Sequence, residues 1–322
     1  MTTGEIAAAV PRAPAGSRDR RVAFAIMFAF FALAPAVIYP VFLMKVMCFA
    51  LFACAFNLLL GYVGLLSFGH AMFLGIGGYA AAHAAKVWGL TPELAILLGT
   101  AASCGLGFVA GLLAIRRQGI YFAMITLALA QMVYFFCVQA PFTHGEDGIQ
   151  SVPRGKLFGV IDLGDVTAMY VTVFVVFLTG FLLVNRIVHS PLGQVLKAIR
   201  ENEARAISLG YDTDRYKLIA FVLSAALSGL AGATNALVFQ LAALNAVHWT
   251  MSGEVVLMTL VGGMGTVFGP VVGALAVLAM ENYLAQLGAW VTIAQGAIFM
   301  LCVLTFRRGI VGELGRWLKK AL

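Results

Sequence analysis

Apolar runs of about twenty residues, separated by short polar joints, recur along most of the chain: 22–39, 41–60, 63–85, 93–114, 120–140, 168–185, 218–243, 254–281 and 288–306. Each is close to the roughly 20 residues that a helix needs to cross the hydrocarbon core of a bilayer. Uninterrupted runs predict helices, because the strands of a transmembrane barrel would alternate apolar and polar positions at period two. The run 254–281 is interrupted by Gly262-Gly263-Met264-Gly265 and Gly269-Pro270. It is therefore predicted as two short crossings that meet at the break. With that division the pattern predicts an all-α integral membrane protein, a polytopic helical bundle of about ten transmembrane segments, including glycine-broken ones.

One long polar stretch lies deep inside this pattern. From Ser190 to Lys217 the chain carries Lys197, Arg200, Arg205, Arg215 and Lys217 against Glu201, Glu203, Asp212 and Asp214. Such a segment belongs in water. Within it Leu192, Val195, Leu196 and Ile199 recur at the spacing of one helical face, and Ser190-Pro191 suits a capped helix start. A second short helix is predicted from Asn202 to Gly210, a glycine suited to the left-handed turn beyond a helix end. The apolar face of the first helix needs a cover. Either it lies back on the protein's own helix ends or the membrane surface, or a soluble partner docks on it.

Composition agrees with the membrane reading: 62% of the 322 residues are hydrophobic and only 11% are charged, against about a quarter charged in soluble domains. The formal charge of +7 would suggest nucleic acid in a soluble protein, but here the basic residues sort by loop. Seventeen of the 21 Lys and Arg fall in four regions: before the first run, at Arg116-Arg117, from Arg186 to Lys217, and after Phe306. Under the positive-inside rule these regions are cytoplasmic. No nucleic-acid partner is indicated. The domain plan is a cytoplasmic flank at 1–21, a transmembrane domain at 22–306 and a cytoplasmic tail at 307–322. Within the membrane domain, 190–217 is a cytoplasmic loop and 141–167 an external loop. In the external loop Glu146, Asp147, Asp162 and Asp165 outnumber Arg154 and Lys156. The arginines, first apolar run and Ala32-Leu33-Ala34 imitate a signal peptide, but Pro35 follows at once and a retained first span is expected.

Two segments end in Phe-Gly after several glycines: Gly61 to His70 and Gly262 to Pro270. Broken backbone at membrane depth is tolerated only where protein or water covers it, so the pair points to a translocation pathway between related halves, or to close helix packing. Asn57, Ser67, His70, Gln131 and Thr266 are the polar candidates for lining such a pathway. Lys45 and Glu281 lie near run ends, where long side chains reach the interface. Cys48, Cys54, Cys104, Cys137 and Cys302 stand in apolar stretches without metal-ligand spacing, so they are read as packing residues and no metal or other cofactor is expected in this chain. No phosphate loop, nucleophile elbow or His-Glu-x-x-His occurs. The chain is not expected to be an enzyme, and any ATP hydrolysis belongs to other subunits.

The stretches Gly61 to His70, Gly119 to Ala128, Thr143 to Gly148, Ser190-Pro191-Leu192-Gly193, Ala198 to Glu203 and Gly262 to Pro270 together resemble permease subunits of bacterial branched-chain amino-acid ABC importers, of the M type (LivM-like). The resemblance spans about Asn57 to Arg308. It implies a multi-pass protein of the bacterial inner membrane with both termini cytoplasmic. Its implied partners are a second permease paralogue in a heterodimer, two cytoplasmic ATP-binding subunits and a periplasmic substrate-binding protein. It also implies that Ser190–Lys217 is the loop that docks on an ATPase, with Leu192, Val195, Leu196, Ile199, Arg200, Glu203, Arg205 and Gly210 as its coupling residues. The outer loop of such permeases usually reads Thr-Gly-Gly before its acidic residue, and His144 replaces the first glycine here. Related permeases move branched-chain or other amino acids, urea or short amides. A stand-alone, ion-driven transporter is the alternative of a different class.

Overall fold

A helix that is apolar all round belongs at the centre of a bundle. Helix α2 (Pro40–Asn57) continues through a π-helical turn, Leu58–Val63, and 94% of its most apolar window is buried inside the chain. The corresponding windows of α4 (Pro92–Ala114), α5 (Ile120–Gln139) and α6 (Val166–His189) are only 28–33% buried. Those three present most of their surface outward. The computed structural model describes residues 17–284 and 309–317, with Ile293, Gly296, Ala297, Phe299, Met300 and Thr305 between them.

Helix α1 (Ser17–Leu33) lies on α6 through rings: Phe28 meets Phe174, Phe31 meets Phe177, and Tyr170 donates to the Phe31 carbonyl at 2.5 Å. Helices α3 (His70–Lys86), α4 and α9 (Thr213–Phe239) form a tight trio. Its contacts are made by small residues. A Cβ on Gly77 would overlap the backbone of Gly229, and one on Gly99 would overlap the Gly77 carbonyl. Close backbone approach of this kind is what holds helices together in lipid, where apolar burial gives no preference for helix over acyl chain.

Two short helices, α7 (Pro191–Glu201) and α8 (Glu203–Ser208), connect α6 to α9. Ser190 accepts from the Gly193 N–H, Asn202 from Arg205 and Asp212 from Arg215, so each of α7, α8 and α9 starts on a side-chain cap. Gly210 has φ +87°, the left-handed turn expected of it. The turn after α4 lies at the same end, because Gln118 donates to Glu203 at 2.9 Å. The 140–165 loop covers the opposite end. There β1 (Ile149–Gln150) pairs antiparallel with β4 (Leu241–Ala242), β2 (Lys156–Leu157) pairs with β3 (Ile161–Asp162), and Arg154 donates to the Val238 carbonyl at 2.8 Å in the last turn of α9. His144 takes a left-handed φ of +59°, which a glycine adopts without strain.

Helix α10 (Trp249–Gly262) and α11 (Gly269–Leu284) are separate, as predicted for the 254–281 run. They return antiparallel on one another, with Gly262 against Gly269 and Gly273 against Met258. The run 63–85 differs from expectation, because residues 64–69 are not helical and α3 starts only at His70. Gly64 has φ +84°, which ends the preceding π turn. Five described helices are long and apolar enough to cross a membrane, namely α2 with its π turn, α4, α5, α6 and α9; the apolar helices Arg21–Ala36 and α11 are shorter. Most of the predicted span 288–306, with Gln295 and Cys302, lies outside the described residues, as do residues 1–16 of the N-terminal flank. Part of the predicted tail is a helix, α12 (Gly309–Trp317), which packs on α10 and α11 and buries Val311.

The Gly77 contact yields a paired test. Gly77→Ala should lower the stability of the purified protein by about 1–3 kcal/mol, the usual cost of overpacking. Gly105→Ala, whose Cβ would enter open space, should change it by less than about 0.5 kcal/mol. Thermal unfolding in detergent measures both.

Candidate functional site at the paired glycine breaks

Breaking a helix frees N–H and C=O groups, and at membrane depth each must find a partner inside the protein. Asn57, the last residue of α2, supplies two at once. Its Nδ2 donates to the Thr266 carbonyl at 2.8 Å and its Oδ1 accepts from the Gly265 N–H at 3.0 Å. One side chain therefore ties the first break to the second, which lies more than two hundred positions further along the chain. Gly61 faces the same contact, and a Cβ there would overlap both the Asn57 amide and the Gly265 nitrogen. Thr266 closes its own turn, donating to the Gly263 carbonyl at 2.8 Å and accepting from the Gly269 N–H at 3.0 Å.

The start of α3 is satisfied in a similar way. The Gly69 N–H donates to Ser67 Oγ at 3.2 Å, the Phe68 N–H to Thr126 Oγ1 on α5 at 3.3 Å, and the Ala71 N–H to Ser252 Oγ on α10 at 2.9 Å. His70 is fully buried among the rings of Phe56, Phe73 and Phe221. Its Nε2 lies 2.8 Å from Ser224 Oγ, and the single hydroxyl proton of Ser224 goes to the Ala55 carbonyl at 2.5 Å. The imidazole must then donate from Nε2, joining α3 to α9 and α2. Of the five predicted pathway residues, Asn57, Ser67, His70 and Thr266 gather around the breaks. Gln131 is half-buried on α5 and takes no part in these hydrogen bonds.

The predicted apolar face of α7 is closed by the chain itself. Leu192 and Leu196 join a cluster with Leu59, Val63, Ile115 and Phe221. Leu196 and Ile199 are 0% and 3% exposed, and Val195 is half-buried. Of the two covers that the sequence left open, this face takes the protein's own helix ends. Arg200, read from the sequence among residues facing an ATPase, turns toward the breaks instead: its Nη1 donates to the Gly61 carbonyl, and its stem runs beside Gly64. Lys197 holds its ammonium 5.6 Å from the Tyr62 ring. Glu203 accepts from Lys217 Nζ at 2.5 Å, from Thr213 at 3.2 Å and from Gln118, and Lys217 is 2% exposed. Arg205 and Gly210 remain exposed.

The sequence reading missed the apolar residues that this segment presents outward. Ile207, Leu209 and Tyr211 are 55%, 70% and 40% exposed. They flank Gly210 and follow no helical repeat, so periodicity passes over them; the signal available was three large apolar residues inside a charged stretch.

A family model described as "Branched-chain amino acid transport system / permease component" matches residues 38–304. The high-affinity branched-chain amino acid transport system permease protein LivM of Salmonella typhimurium is 25% identical over 288 residues, covering 82% of this chain and 68% of that protein. A probable LivM of Methanocaldococcus jannaschii is 25% identical over 308 residues, 80% of this chain and 88% of its own. The ribose import permease protein RbsC of Bacillus subtilis is 27% identical over 244 residues, 69% and 70% respectively. No solved structure matches the chain.

Asn57→Leu should leave the Thr266 carbonyl and the Gly265 N–H without partners and destabilise the protein by about 1–3 kcal/mol. Lys217→Met, which leaves the part-buried Glu203 with only Thr213 and Gln118 as donors, should cost about 1–3 kcal/mol, and adding Glu203→Leu should recover part of that loss. Thermal unfolding of the single and double variants measures the coupling.

Proposed function

The chain belongs to the branched-chain amino acid transport permease family, and from that premise we propose that it forms half the translocation pathway of an ATP-driven importer for branched-chain or related amino acids. A second permease paralogue supplies the other half, two cytoplasmic ATP-binding subunits supply hydrolysis, and a periplasmic binding protein delivers the solute. The protein spans the inner membrane about ten times. Its basic end, with Arg116, Arg117 and the 190–217 segment, is cytoplasmic, which the positive-inside rule supports.

The observation that carries this reading is the reach of Arg200 from α7 to the Gly61 carbonyl, between the two breaks. Coupling requires that one element respond to the state of the ATPases and alter the pathway. Helices α7 and α8 are fastened to the membrane domain on their inner side, through Leu196, Ile199, Arg200 and the Glu203–Lys217 pair. Their outer side offers Ile207, Leu209 and Tyr211 to a soluble partner. A push on the outer side moves the segment as one body. Arg200 then carries the displacement to Gly61, and the Asn57 link to Gly265 and Thr266 opens or closes.

Two variants separate docking from transmission. Leu209→Asp should weaken ATPase association by about tenfold or more, from the lost burial of one aliphatic side chain, and uptake should fall with it. Arg200→Gln should retain the ATPases yet hydrolyse ATP with little uptake. Copurification, ATPase rate and solute uptake in proteoliposomes read the three quantities. Full uptake by both variants would remove the 190–217 segment from coupling, and uptake driven by an ion gradient without ATPase subunits would overturn the importer reading.

A further inference from the structure

Three charged side chains meet at the end of the bundle away from Arg200. Lys45 on α2 holds its Nζ 3.3 Å from Glu281 Oε2 on α11, and Glu254 stands on α10, which packs on both of those helices. Lys45 lies about 18 Å along α2 from Asn57, at 1.5 Å per residue. The group is part-open: the Lys45 and Glu281 side chains are 32% and 44% exposed, and Glu254 is half-buried. Acyl chains are a costly neighbour for such charges. A face of this kind therefore meets water or a polar occupant.

Its unspent bonding capacity defines that occupant. Lys45 carries three N–H donors and gives one to Glu281. Glu254 makes neither a hydrogen bond nor an ion pair among the described residues. What remains is an ammonium with free donors beside a free carboxylate. We propose that Lys45 and Glu254 line the outer part of the solute path and receive the charged head of a free α-amino acid. Lys45 takes its carboxylate, and Glu254 takes its ammonium. Glu281 holds the Lys45 ammonium in place. The assignment rests on the permease reading above and deepens it, because urea, short amides and sugars carry neither charge and leave both groups unmatched.

The test uses the full importer, with labelled L-leucine as probe. Glu254→Gln should reduce uptake by about tenfold or more, the loss of one charge-assisted hydrogen bond, while Glu254→Asp should keep most of it. Independently of any charge change, Leu257→Cys, one turn from Glu254 on the same face, should react with a small maleimide more slowly when L-leucine is present. Neither urea nor L-leucinamide should protect it. If Glu254→Gln reaches the membrane at the normal level and imports leucine at the normal rate, the site is overturned and the permease reading stands. Should that variant fail to accumulate, absence of leucine protection at Leu257→Cys overturns the site. Uptake of urea or acetamide but not leucine by the unmodified importer would overturn the amino-acid reading and this site together.

Discussion

The requirement that no buried backbone N–H or C=O be left bare governs the paired breaks of this protein. Two chain segments abandon helical geometry there, and both are repaired by side chains brought from other helices. Asn57 is the economical part of the arrangement, since one amide both donates and accepts across the two breaks. Hydroxyls from Thr126, Ser252, Ser67 and Thr266 meet further groups freed at the breaks. Because Asn57, Thr126 and Ser252 come from α2, α5 and α10, the breaks can keep this shape only while those helices, α3 and the 263–268 turn stay in register.

That dependence ties the 190–217 segment to the rest of the bundle. Leu192, Leu196 and Ile199 would make a poor free surface, and they are spent on fixing α7 to the helix ends beneath it. Once the inner side is fixed, Arg200 is placed beside the backbone of the first break. The buried Lys217 ammonium is tolerated because Glu203 meets it directly and is itself met by Thr213 and Gln118. A segment built in this way moves as a unit or not at all, which is the property a mechanical link needs.

Outside the centre, lipid removes the usual reason for apolar faces to associate, and small residues take over. The α3, α4 and α9 trio closes through Gly77, Gly99 and Gly229, where helix backbones touch. On α4 the large apolar side chains Leu97, Phe108, Val109 and Leu113 are exposed on the outward face. Glycine, alanine and hydroxyl side chains thus set the α3–α4–α9 contacts, while rings such as Phe52, Phe56, Phe73 and Phe221 fill the interior around α2.

The sequence by itself determined the helical membrane class, most of the long runs among the described residues, the split of the 254–281 run, and the Ser190 cap and left-handed Gly210 of the 190–217 segment. Each of these depends on residues close in the chain, through run length, glycine and proline placement, or capping side chains. Tertiary structure alone decided which way the α7 face turned, because periodicity reveals that a face is apolar but not what covers it. It also decided that Asn57 and Arg200 meet the breaks at Gly265 and Gly61, and that Lys45 meets Glu281. These contacts join positions far apart in the chain, and a hydrogen bond between such residues leaves no local pattern to read.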